Sequence, residues 1–91
     1  MKLVAKLIRV APLREFENAY GKNKLREFTL SVSNGTDKND FIVATAFGEL
    51  ADEVGECNLE QSYVFDLRFA IHISKGGYNT QDVYLKKVET P

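Results

Sequence analysis

The chain has 91 residues, 44% of them hydrophobic and 27% charged, with a net charge of −1; this supports one domain around one core, residues 1–91, argues against disorder, and gives no overall basic excess of the kind a strong non-specific nucleic-acid coat carries. One cysteine, Cys57, and one histidine, His72, exclude an internal disulfide and a Cys-rich zinc site, so neither a metal nor another cofactor is expected. No apolar run reaches the length of a membrane span and the opening Met-Lys-Leu-Val lacks the features of a signal peptide, so a cytoplasmic protein without membrane contact is expected.

Lys2 to Val10 reads as a first strand, apolar on both parities and closed by Pro12, with Lys6 and Arg9 breaking the pattern outward. Residues 11–23 are polar and mixed, and Asn18, Gly21 and Asn23 mark a loop or the bend of a long hairpin. Leu25 to Ser33 is a second strand: Phe28, Leu30 and Val32 alternate with Glu27, Thr29 and Ser31, as in a half-buried antiparallel strand. Ser33 to Asp40 carries Asn-Gly and predicts a hairpin tip.

Phe41 to Phe47 is the third strand. Phe41, Val43, Thr45 and Phe47 share one face, and Ile42, Ala44 and Ala46 share the other. The small side chains suit the inside of a tight barrel, which turns the two phenylalanines outward, either as a stacking surface for bases or as an oligomer interface. Gly48 then turns the chain into a short helix, Glu49 to Glu56, with Leu50 and Val54 placed to pin it and Gly55 as its stop. Asp52, Glu53 and Glu56 form an acidic helix face that repels phosphate, and Cys57 has no nearby histidine to activate it.

Tyr63 to Ile73 gives the clearest alternation in the chain and is expected to be the longest buried strand; Lys75-Gly76-Gly77 is a hairpin turn, and Thr80 to Val88 closes the domain with Val83 and Leu85 inward. The order β-β-β-α-β-β is that of an all-β, five-stranded Greek-key oligonucleotide-binding (OB) barrel with a short helix between strands three and four.

Several strings resemble the DNA-binding core of the bacterial single-stranded-DNA-binding family. Ala5-Lys6-Leu7 is similar to the family's Gly-Asn/Arg-Leu in strand one, and Pro12-Leu13-Arg14 to the proline and arginine that follow it. Phe28-Thr29-Leu30-Ser31-Val32 resembles Phe-Ser/Thr-Leu-Ala-Val. Ala46-Phe47-Gly48-Glu49-Leu50-Ala51-Asp52 resembles Ala/Leu-Phe-Gly-Lys-Leu-Ala-Glu, and Tyr78-Asn79-Thr80 resembles Tyr-Thr-Thr. The resemblance puts Phe41 where the family has a base-stacking tryptophan and Phe47 where it has a base-stacking phenylalanine. It also shows departures: the next platform falls at Ser74, nearby basic positions become Ala70 and His72, and the acidic partner-recruiting tail is missing after Pro91. A tail-less relative is therefore implied, such as a phage or mobile-element protein or a primosomal replication protein of the N type.

The reading is a protein, not an enzyme, that binds single-stranded DNA or RNA with little sequence preference as a replication or recombination accessory. Phe41 and Phe47 stack bases, and Arg14, Lys22, Lys24, Arg26, Arg68, His72, Lys75 and Tyr78 supply the surrounding contacts. The family implies a homodimer or homotetramer with strand one as the seam, and replication proteins as candidate partners. The alternative is an OB-fold protein-interaction module of a replication or mobile-element complex, in which the same phenylalanines form an interface.

Overall fold

The computed structural model describes residues 1–33, 39–77 and 79–91. Six strands and one helix follow in the order β1 (Lys2–Val10), β2 (Arg14–Asn18), β3 (Gly21–Ser33), β4 (Asn39–Phe47), α1 (Glu49–Glu56), β5 (Ser62–Ile73) and β6 (Asn79–Glu89). Strands β1, β5, β6, β4 and β3 form a ring, closed by β1 pairing back to β3, and β2 adds to the outer edge of β3. The pairings are antiparallel except β4 with β6, which meet in parallel through one residue pair, Thr45 with Tyr84.

Side-chain size explains the closure. Ala5, Ala44 and Ala46 let the strands curve inward, and Phe28, Phe65, Leu7, Leu30 and Leu67 fill the space they enclose. The Phe28 and Phe65 rings stack at the centre, 5.8 Å between centroids. Helix α1 adds Ala51 and Val54 to this core, with Leu50 only half-buried, so the buried pair is three residues apart rather than four.

The chain enters α1 through Gly48 at φ 62°, a left-handed conformation that glycine adopts without a Cβ penalty. Gly55 does not stop the helix, which runs one residue further and releases the chain at Cys57 in an extended conformation. Its role is clearance: a Cβ there would lie 2.7 Å from Cζ of Arg26. The last turn of α1 has no basic residue of its own, and the Arg26 guanidinium, arriving from β3, lies against the carbonyl-rich end of the helix where positive charge is favoured.

Three further expectations change. The segment expected as a loop contains β2, which pairs with β3 from Arg14–Leu25 to Asn18–Gly21, so β3 begins at Gly21 rather than Leu25. Strand β5 is buried only as far as Leu67; beyond it Phe69, Ile71 and Ile73 are exposed, because β5 and β6 run on as a two-stranded ribbon past the end of the ring. Strand β1 is engaged on both edges in part, by β5 over Lys2–Lys6 and by β3 over Lys6–Val10, which leaves only short free edges for a seam. The Asn34-Gly35 tip and Tyr78 lie outside the described residues.

Candidate nucleic-acid interface

The outer face of β4 carries Phe41, Val43 and Phe47, all exposed, at 66%, 58% and 40% respectively. Residues directly opposite on paired strands point to the same face, so the register assigns neighbours to each. Phe41 faces Ser31 of β3, which faces Lys6 of β1; Val43 faces Thr29, which faces Arg9. Thr45 lies between Glu27 on one side and Tyr84 on the other, and Tyr84 faces Arg68. Phe47 faces Leu25, which faces Arg14.

Lys6 and Arg9 reach one face because of a bulge. Three residues apart, they would alternate to opposite faces in a regular strand, but the β1–β3 register shifts between Leu7 and Arg9 and restores Arg9 to the side of Lys6. Among the described residues neither takes part in an ion pair. Both cations therefore lie in the rows beside Phe41 and Val43, and Arg9 shares a cleft with Val43 and Glu27.

At the other end of the face the rings form a chain. Phe16 of β2 meets Phe47 edge-on with centroids 6.4 Å apart, Phe47 meets Tyr84 at 5.7 Å, and the Arg68 guanidinium lies 4.9 Å from the Tyr84 centroid. The Tyr84 hydroxyl is 3.4 Å from His72 Nε2, which also lies 3.4 Å from Asp82 Oδ2. Lys75 is exposed at the turn of the ribbon.

The basic residues read from the sequence around the first hairpin separate in space. Arg14 shares the face of Phe16 and Phe47, where it donates to Glu27 Oε1 at 3.0 Å. Lys22, Lys24 and Arg26 have the parity of Phe28 and Leu30 and leave β3 from the opposite side. There Lys24 pairs with Asp52 of α1, Arg26 packs on Gly55 with its Nε buried and without a hydrogen-bond partner among the described residues, and Lys22 faces Glu17 across the hairpin. Asn23, Glu15, Glu17 and Phe16 join Lys22 and Lys24 around an open cleft of about 420 Å³. Phe47 is thus brought together with Arg14, Arg68 and His72, Phe41 shares their face at the other end of β4, and Lys24 and Arg26 lie on the opposite side.

Four contributors lie outside the sequence-derived set. Lys6 and Arg9 read as outward breaks in the first strand, but the bulge that sets both beside the phenylalanine face was not legible; Tyr84 opposes the inward parity of Val83 and Leu85, a usable signal, whereas Phe16 sits on a strand with no buried residue to set a parity. Among the described residues no three His, Cys, Asp or Glu side chains converge as a metal site, and no helix is long and apolar enough to cross a membrane.

No protein-family model matches this sequence, and no curated protein does so either. Solved structures do match in shape. PriB from Ralstonia solanacearum superposes with a TM-score of 0.73 at 16% identity over 99% of this chain and 94% of that one. This is an OB-fold. The SSB domain of a Synechococcus protein matches it with a TM-score of 0.68 at 13% identity, over 98% and 91% of the two chains. A replication protein A heterotrimer bound to single-stranded DNA contains a chain that matches with a TM-score of 0.67 at 17% identity, over all of this OB-fold chain and 22% of that one. The resemblance seen in the short strings thus extends to the whole architecture.

Proposed function

We propose that the chain binds single-stranded nucleic acid, DNA foremost, with little sequence preference, as a non-catalytic accessory of replication or recombination in the cytoplasm. One observation carries this reading: Phe41 and Phe47 stand exposed on one strand face, with Lys6 and Arg9, cations in no ion pair among the described residues, in the adjoining rows. Six residues of strand separate the rings, about 20 Å at strand rise, room for several nucleotides between two stacking points. Bases stack on Phe41 and Phe47 while Lys6, Arg9, Arg14 and Arg68 follow the phosphates. His72 and Lys75 extend the path along the ribbon. The similarity in shape to an SSB domain, PriB and replication protein A supports the same reading, and with it a homodimer or homotetramer and replication-protein partners.

The test is a fluorescence-anisotropy titration of labelled oligo-dT at about 50 and 200 mM salt, with a duplex of equal length as control. Binding on the order of micromolar at physiological salt, weaker for the duplex and weakened by salt, is expected. Absence of binding at low salt would transfer the phenylalanine face to the protein-interaction reading.

A further inference from the structure

Beyond the ring, β5 has a free edge. Strand β1 leaves it at Lys2–Asp66, with two more bonds at Met1: the Leu67 N–H donates to the Met1 carbonyl at 2.8 Å and the Met1 ammonium donates to the Leu67 carbonyl at 2.7 Å. At the far end the chain turns back, the Gly77 N–H donating to the Ser74 carbonyl at 3.0 Å. Between these limits Phe69–Ile73 pairs with β6 on one side, and among the described residues with nothing on the other. Such an edge is usually guarded by lysine, proline or a bulge, and Phe-Ala-Ile-His-Ile contains none of these. One face of it presents Phe69, Ile71 and Ile73, with the last two 66% and 76% exposed.

We propose that this edge pairs with the same edge of a second copy, antiparallel and centred on Ile71. Ile71 is the middle residue of Phe69–Ile73, the part of the open edge that carries no Arg or Lys, and this sets the centre. A two-fold axis there places Ile71 opposite its own copy and Phe69 opposite Ile73, so apolar side chains meet in a row. On the other face Ala70 lies opposite His72, and no like charges are opposed. The backbone N–H and C=O groups of the edge gain partners in the same step. A five-residue seam is small beside the roughly 1,200 Å² of a standard interface, so the dimer is weak, on the order of micromolar.

This pairing also bears on the function proposed above and there rests on it. A two-fold axis normal to the sheet keeps each copy's faces on the same side, so Arg68, His72 and Tyr84 of both copies line one surface and join the two binding faces into one track.

Sedimentation velocity without nucleic acid, from about 1 to several hundred micromolar protein, tests the seam independently of binding. The wild type is expected to shift from monomer to dimer, and Ile71→Lys, which sets two ammonium groups opposite each other, to remain monomeric with an unchanged circular dichroism spectrum. A wild type that stays monomeric throughout, or an Ile71→Lys variant that dimerises as well as wild type, overturns the proposal. Cross-linking decides the case where Ile71→Lys does not fold. In a Cys57→Ser background treated with oxidised glutathione, Ile71→Cys should form a covalent dimer and Ile73→Cys should not, because only position 71 meets its own copy at disulfide distance. Equal cross-linking at both positions, or none at 71, refutes the register.

Discussion

Phe41 and Phe47 make separable contributions, and replacing each by alanine should expose the difference. Phe41 is two-thirds exposed and has no ring neighbour among the described residues. Its removal leaves no cavity, so stability should move by less than about 0.5 kcal/mol. The loss of a stacked base is worth roughly 1 to 3 kcal/mol, which weakens oligo-dT binding by roughly 5- to 150-fold. Phe47 is 40% exposed, with its edges against Phe16 and Tyr84. Each aromatic pair adds about 0.5 to 1.5 kcal/mol beyond area, so Phe47→Ala should lower stability by about 1 to 3 kcal/mol as well as weaken binding. Urea melts of both variants alongside anisotropy titrations under conditions where each remains folded read the two effects separately. If Phe41→Ala binds like wild type, the stacking role is refuted, because nothing structural at that position could mask a loss.

Neutralising Lys6 and Arg9 together should reduce the slope of log affinity against log salt by about 1.4, two contacts at about 0.7 each, with little change in the urea midpoint. Lys24→Ala with Arg26→Ala should do the reverse, lowering stability through the lost contacts to α1 while leaving the salt slope in place; equal slopes in the first variant and wild type would move the phosphate path elsewhere. The Cys57 thiol is held above its ordinary pKa, first by burial and then by Glu53 and Glu56, against a hydrogen bond from Tyr63 that lowers it. Its thiolate fraction at pH 8 is therefore smaller in the folded chain than in the unfolded one, and iodoacetamide should label it more slowly before urea is added than after; equal rates would show that the site opens freely.

The ring and its helix could be read from the sequence because both rest on strong local patterns. The bounds Lys2–Val10 and Glu49–Glu56 coincide with β1 and α1, since apolar alternation and a glycine turn mark them without help from distant residues. Strand β2 was not legible as a strand: Arg-Glu-Phe-Glu-Asn has one apolar residue, none of it is buried, and its stability comes from pairing with β3. The free part of β5 shows the converse. Its alternation continues past Leu67 although the enclosure does not, and periodicity reports which residues share a face, not what covers that face. For the interface, the outward Phe41 and Phe47 followed from alternation together with the small Ala44 and Ala46 on the opposite face. Parity also placed Lys22, Lys24 and Arg26 with Phe28 and Leu30, away from the phenylalanines, but a local excess of charge drew more weight than the face it occupied. Lys6 and Arg9 needed the bulge, which depends on how β1 is shared between two partners.

The ring closes between β4 and β6 through one rung, Thr45 with Tyr84. A single parallel pair is a slender clasp, and what reinforces it lies on top: Phe47 against one side of the Tyr84 ring and Arg68 over its face. The groups that fasten the barrel are therefore drawn from the same surface that would meet a ligand. Phe41 and Val43, away from this clasp, are free to change with the ligand, whereas change at Phe47 or Tyr84 must also keep the cylinder shut. Recognition and closure share one set of side chains there, and variation that tunes the first is filtered by the second.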